Sequence, residues 1–154
     1  IALALDRPLL PVSTLQALAL RAPAEAQDVL AAIDARMGEL YVARYRRVAG
    51  VPVLQGSERV LAPQAVTLPD GLTCHGVGTG FAAAEGVLVT HLGAALHGVD
   101  AAALPRASDV LALAAPAFAR GEAIAAEQVE PAYLRDNVAL TLVEQQAARA
   151  AKAK

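Results

Sequence analysis

The sequence is poor in cysteine and in large aromatic side chains. It contains no Trp, three Tyr and two Phe, so its core must be built mainly from Leu, Val and Ala. Cys74 is the single cysteine. An internal disulfide is therefore excluded, and the composition fits a reducing compartment such as the cytoplasm.

The chain also has no surplus of positive charge and no long apolar run. Its formal net charge is −2, whereas a free-standing RNA-binding domain usually presents a basic face. No apolar stretch approaches the ~20 residues that a membrane-spanning helix needs. The apolar segment 1–5 lacks the basic flank of a signal peptide. We therefore expect no membrane association and no strong direct binding of RNA.

Apolar residues nevertheless make up 56% of the chain, which is enough for a packed core. Ser13 opens an S-x-x-Q capping box and predicts a helix after it. The run 29–33 is typical of a buried strand, and the alternation over 40–48 predicts a second strand after a turn. We expect a hairpin over 28–48 in a mixed sheet flanked by helices, which is an α/β fold.

Other segments give weaker signals. Short strands are predicted at 9–12 and 72–77, with a possible strand at 87–89. A helix is predicted over 108–120, which Pro116 should kink or interrupt.

The polar break at 22–27 suggests a division of the chain into a remnant of one lobe (1–24), a second lobe (25–144) and a disordered tail (145–154). The chain begins inside an apolar run that no helix cap precedes, so we expect upstream sequence. In that case 1–5 and 9–12 would be covered by an upstream segment or by another copy of the chain.

No catalytic or metal-binding constellation is evident in the sequence. Ser13 lacks the G-x-S-x-G context of a hydrolase nucleophile, and helix capping accounts for it. Zinc sites usually show closely spaced ligand pairs. Cys74 and His75 are adjacent and would point to opposite faces of a strand, whereas His91 and His97 are six residues apart. We predict no catalytic residue and no metal site.

A glycine cluster lies between a predicted strand and a predicted helix. Gly76, Gly78, Thr79 and Gly80 stand where a phosphate could bind, but the segment lacks the Walker lysine and does not fit G-x-G-x-x-G. They are weak phosphate-loop candidates. The alternative is a tight turn that needs glycine for its backbone.

Two charged runs are the most distinctive features. The first, DARMGELY at 34–41, follows a buried strand, and its charges must be solvated, paired or used in an interface. Arg36 and Met37 are too bulky for a backbone that approaches phosphate. We therefore interpret Asp34, Arg36, Glu39 and Tyr41 as structural or interface residues.

The second run, PAYLRDNV at 131–138, is either an interface or a strap that packs on its own domain. Its candidate residues are Tyr133 and Arg135, because Tyr and Arg are enriched at interface hot spots.

Four segments together resemble the TsaB family, also called YeaZ-like or glycoprotease-like. They are PVSTL at 11–15, VLAAIDARMGELY at 29–41, GVGTG at 76–80 and PAYLRDNVA at 131–139. The resemblance implies an actin-like ATPase (ribonuclease H-like) lobe with a remnant of an N-terminal lobe. The strand-rich start and the G-P-G-S-F-T-G-like segment of the family have no counterpart in this sequence.

The resemblance also implies a function. It is that of a non-catalytic, cytoplasmic scaffold subunit that helps make threonylcarbamoyladenosine in tRNA. Its implied partners are the catalytic paralogue TsaD and the ATPase TsaE, with a homodimer possible and tRNA contacted through the complex. No cofactor is expected on this chain alone, with ATP or ADP held only in the complex, and no peptidase activity is expected.

The alternative is a small-molecule kinase or nucleotide hydrolase of the same superfold, because fold analogy does not decide activity. Such an enzyme should carry glycine or serine where Arg36 and Met37 stand.

Overall fold

A computed structural model describes residues 1–135. These residues contain three α-helices: α1 Thr14–Ala19, α2 Val87–Leu92 and α3 Ala107–Ala119. They also contain six strands: β1 Asp28–Asp34, β2 Leu40–Val48, β3 Val51–Leu54, β4 Arg59–Leu61, β5 Cys74–Val77 and β6 Leu96–Asp100. Short 3-10 turns, among them Leu3–Leu5 and Thr79–Phe81, connect several of these elements.

The strands form one mixed sheet in the order β3-β2-β1-β5-β6, and β4 also pairs with β2. β1 and β2 are antiparallel, from Asp28 opposite Arg46 to Asp34 opposite Leu40. β1 runs parallel to β5, and β5 runs parallel to β6. The predicted hairpin and the predicted mixed sheet are therefore confirmed.

The sheet carries a hydrophobic cluster on each face. On the first face α1 packs on the sheet, with Leu18 and Ala19 against Val29 and Tyr45. On the second face the cluster includes Leu30, Val42, Phe81 and Leu88. β2 supplies both clusters because alternate side chains of a strand point to opposite faces.

Helix α1 begins where the sequence predicted it. The Oγ of Ser13 accepts hydrogen bonds from the backbone N–H groups of Leu15 and Gln16. The Gln16 side chain donates to the carbonyl of Pro52 at 2.9 Å instead of closing the capping box, so it ties α1 to β3. Although α1 shares a core with the sheet, the division of the chain at residues 24 and 25 stays a prediction, and the tail 145–154 lies outside the described residues.

Two predicted elements were wrong. The segment 87–89 belongs to helix α2, because Gly86 turns the chain with a left-handed φ of 77°. Segment 9–12 is not a strand, although Leu9 exchanges backbone hydrogen bonds of 2.8 and 2.9 Å with Ile124. The helix predicted over 108–120 is confirmed as α3, and Pro116, which lies on the exposed surface near its end, does not interrupt it.

Candidate functional site

The turn between β1 and β2 has an unusual backbone. Three consecutive residues are left-handed, with φ of 64° at Arg36, 56° at Met37 and 77° at Gly38. A residue other than glycine pays roughly 1–2 kcal/mol for this conformation. Backbone hydrogen bonds between Ala35 and Glu39 (2.9 Å) and between Glu39 and Arg36 (3.1 Å) close the turn. Further contacts are needed to offset the cost of two such residues in succession.

Asp34 supplies one of these contacts. Its Oδ1 accepts a hydrogen bond of 2.8 Å from the backbone N–H of Arg36, the arrangement of an Asx turn. The backbone N–H of Asp34 donates to Oγ1 of Thr79 at 3.2 Å. The turn is therefore joined to the loop that follows β5.

Arg135 supplies the second contact, from the other end of the described chain. Its Nη2 donates to the carbonyl oxygens of Ala35 at 3.0 Å and Arg36 at 3.4 Å, and to Oε2 of Glu39 at 2.7 Å. The side chain of Arg135 is only 15% exposed. Charge-assisted hydrogen bonds to carbonyls and a carboxylate hold the turn from one side.

Another part of the turn is open to solvent. Met37 is 80% exposed. A cavity of about 270 Å³ lies beside it, lined by Asp34, Arg36, Pro63 and Ala84 among others. The turn thus presents an exposed thioether side chain on a backbone that is held in place.

The glycine cluster is packed tightly. Gly76, Gly78 and Gly80 are all buried. A Cβ on Gly78 would overlap the carbonyl oxygen of Ala32, and one on Gly80 would lie 2.7 Å from the Cβ of Ala32. The loop therefore needs glycine for its close approach to β1. This packing accounts for the glycines, and the phosphate-loop hypothesis stays a prediction.

Comparisons with known proteins identify the family. A family model described as "TsaD: tRNA N6-adenosine threonylcarbamoyltransferase" matches residues 1–142. The chain belongs to this family. Within it, the chain is 40% identical to the "tRNA threonylcarbamoyladenosine biosynthesis protein TsaB" of Escherichia coli over 90% of its own length, and 35% identical to the Haemophilus influenzae protein of the same name over 86%.

Solved structures agree with this assignment. Two from Pseudomonas aeruginosa match with TM-scores of 0.75 and 0.74, at 45% and 46% identity over 87% and 86% of this chain. One is described as an uncharacterized protein with similarity to peptidase YEAZ, the other as YeaZ. The predicted TsaB resemblance and the actin-like α/β fold are confirmed. The chain spans 62% and 59% of the curated relatives and 62% of each solved chain.

In this TsaB-like chain, the structure brings together four of the six interface candidates: Asp34, Arg36, Glu39 and Arg135. Tyr41 lies elsewhere, in the wall of a cavity of about 650 Å³ that Ser13, Glu58 and Leu134 also line. Tyr133 is 80% exposed and contributes nothing to that wall. The two adjacent residues Tyr133 and Leu134 therefore face different surroundings.

Sequence reasoning missed Glu58. Its Oε1 accepts hydrogen bonds from Oγ of Ser13 and from the hydroxyl of Tyr45, the latter at 2.8 Å. Burial raises the pKa of Tyr45 well above its usual range, so the phenol remains a neutral donor. No local sequence pattern predicts this role of Glu58, because both of its partners are more than ten residues away along the chain.

Residues 1–135 contain no group of three or more His, Cys, Asp or Glu side chains placed to hold a metal ion. In the same part of the chain, no helix is long and apolar enough to cross a membrane.

Proposed function

We propose that this chain acts as a non-catalytic scaffold in the machinery that makes threonylcarbamoyladenosine in tRNA. The support is its identity of 40% with the E. coli TsaB protein, whose name assigns it to that biosynthesis. The partners we propose are the catalytic paralogue TsaD and the ATPase TsaE. A homodimer is possible, and tRNA is contacted through the complex.

One observation carries the scaffold role: both carboxylates of the 34–39 turn accept hydrogen bonds from this chain's own groups. Asp34 caps the Arg36 amide, and Glu39 binds Arg135. A phosphotransferase needs such groups to be aimed at phosphate or at a magnesium ion. Here they fix a backbone that presents Met37, which suits recognition by another protein.

The scaffold proposal extends to compartment and cofactor. We place the chain in the cytoplasm, where tRNA is modified and where a single buried thiol, Cys74, stays reduced. ATP or ADP is held by the complex and not by this chain alone. Peptidase activity is not part of the proposal, although one solved relative is described as similar to a peptidase.

The test is binding to the purified paralogue TsaD, with and without TsaE, measured by calorimetry. Met37→Glu should weaken binding at least about tenfold, because it places a charge in a desolvated contact. Val48→Glu is the matched control, because Val48 is also exposed (56%) but lies outside the turn.

Two results would contradict the proposal. One is equal binding by both variants and the unchanged chain. The other is ATP hydrolysis by the isolated chain that is lost on Asp34→Ala, which would favour the small-molecule kinase or nucleotide hydrolase.

A further inference from the structure

A groove of about 440 Å³ opens on the sheet face opposite α1, and none of the 34–39 turn lines it. We call it the arginine groove. Its floor is apolar and its rim is polar. The lining residues used below are Leu30, Val42, Arg44, Ser57, Arg59 and Thr67.

Arg44 lines the groove, and part of its guanidinium is already hydrogen-bonded within the chain. Its Nη1 donates to Oδ1 of Asp28 at 3.1 Å. Among residues 1–135 its Nε and Nη2 have no hydrogen-bond acceptor, and neither is sealed from solvent. Two donors of a fixed fork are therefore free to bind an acceptor in the groove.

The charge around the groove is positive. Asp28 is the buried carboxylate that balances Arg44, but it also accepts two hydrogen bonds from Arg46, at 3.3 and 2.9 Å. Arg59 adds a second cation to the rim. The neighbouring carboxylate, Glu58, bonds to Ser13 and Tyr45 in another cavity. The charged residues that line the groove are therefore two arginines, Arg44 and Arg59, with no Asp or Glu of residues 1–135 among the lining, in a chain whose net charge is −2.

The floor and the size of the groove restrict what can bind. Leu30 and Val42 are buried members of the core of this face, so the floor offers an apolar contact. Ser57 and Thr67 add hydroxyl groups at the rim. A few polar groups converging above an apolar floor, in a volume of this order, are typical of small-molecule sites.

We propose that the arginine groove binds a small molecule that carries a phosphate or carboxylate group on an apolar or aromatic body. The anion accepts hydrogen bonds from Arg44 and is attracted by Arg59. The body lies on Leu30 and Val42. This site is independent of the scaffold role proposed above.

The experiment is a titration of the chain with phenyl phosphate and phenylacetate, followed by two-dimensional NMR of the backbone amides. The two ligands show which anion is preferred. Inorganic phosphate tests the anion alone, and benzyl alcohol tests the apolar body alone. We expect shifts at residues that line the groove and tighter binding of at least one of the two compounds that combine both features.

Variants assign the binding to the arginines. Arg44→Gln and Arg59→Gln should each raise the Kd about tenfold, the loss of one charge-assisted contact. The Kd of Arg44→Lys should lie between the values of the unchanged chain and Arg44→Gln, because lysine keeps the charge but lacks the forked guanidinium. Arg7→Gln is the control, an exposed arginine outside the groove.

Arg44→Gln leaves Asp28 with only Arg46 as a partner and could unfold the chain. In that case Arg59→Gln tests the proposal, because Arg59 is exposed and its replacement should leave the fold intact. The proposal is overturned if benzyl alcohol or inorganic phosphate binds as well as the combined ligands. It is also overturned if the shifts lie outside the groove, or if Arg59→Gln behaves like Arg7→Gln.

Discussion

Two loops leave the same edge of the sheet, but different interactions hold them. The 34–39 turn follows β1 and the 76–80 glycine loop includes the end of β5, and β1 and β5 are parallel. In the glycine loop the close approach to Ala32 is made possible by missing side chains. In the turn, Arg36 and Met37 keep their side chains at left-handed φ.

The difference lies in what each loop depends on. The glycine loop is held by local packing against β1, which forms whenever the sheet forms. The turn depends on Asp34 nearby and on Arg135, which is 96 residues from Glu39 along the chain. The turn should therefore loosen without unfolding of the sheet, whereas the glycine loop should not.

The largest effect is expected in the glycine loop. Gly78→Ala should lower the free energy of unfolding by about 3 kcal/mol or more, because its Cβ would overlap the Ala32 carbonyl at a φ of 110°. Gly71→Ala is the control, with a φ of 72° and no atom within 4 Å, and should cost about 1 kcal/mol. Urea unfolding measures both. Equal losses of unfolding free energy in the two variants would mean that the positive φ of Gly78, and not its close packing on Ala32, explains why glycine stands there.

A smaller loss in the free energy of unfolding is expected when the hydrogen bonds from Arg135 to the turn are removed. Arg135→Met keeps the apolar stem and removes the donors to Ala35, Arg36 and Glu39, at a cost of about 1–3 kcal/mol. Amide exchange should accelerate at Arg36 and Glu39 more than in β1. Tyr133→Ala, at an 80% exposed neighbour, should change stability by less than about 0.5 kcal/mol. If amide exchange in the turn is unchanged in Arg135→Met, Arg135 does not stabilise the turn.

The turn also permits a change that separates stability from recognition. Met37→Gly relieves a left-handed residue that costs roughly 1–2 kcal/mol, offset by about 1 kcal/mol from the freer unfolded chain. Its stability should therefore stay level or rise by up to about 1 kcal/mol. Binding to TsaD should weaken at the same time, since the exposed side chain is gone. A clear loss of stability in thermal unfolding would show that Met37 makes contacts that its exposure does not indicate.

The two loops also show how far the sequence could predict this structure. The hairpin was predictable because a buried run and an alternating run leave few other arrangements for 28–48. The glycine loop follows strand β5 as predicted, but 3-10 turns stand where a helix was expected directly after it, and α2 begins only at Val87. The hydrogen bonds from Arg135 to the turn were not predictable, since no local sequence pattern connects Arg135 with Glu39. Glu58 was missed for the same reason.

Other errors came from local propensity. The sequence VLVT at 87–90 is rich in β-branched residues and favours a strand, yet these residues begin α2 after the left-handed Gly86. Strand β6 was missed because its residues, LHGVD, show no apolar alternation. Within residues 1–135 it is an edge strand of the sheet, paired with β5 alone. An edge strand needs less apolar surface than a central one, so its sequence carries a weaker signal.

The smallest effect concerns pH and the strand that leads into the glycine loop. Burial lowers the pKa of His75, and the nearby His97, whose ring centroid is 5.7 Å away, lowers it further, while Asp100 and Glu25 act in the opposite direction. The unfolded chain binds the proton near its ordinary pKa of about 6.5, and the folded chain binds it only at lower pH. Stability should therefore be full above pH 6.5 and fall as the pH drops toward the lowered pKa of the folded state. His75→Gln should flatten this decrease in urea unfolding measured between pH 7.5 and pH 5, and His97→Gln should flatten it partly. His91→Gln is the control, since His91 lies on α2 and bonds to the carbonyl of Val66 instead. A decrease of the same steepness in His75→Gln would assign the pH dependence to other groups.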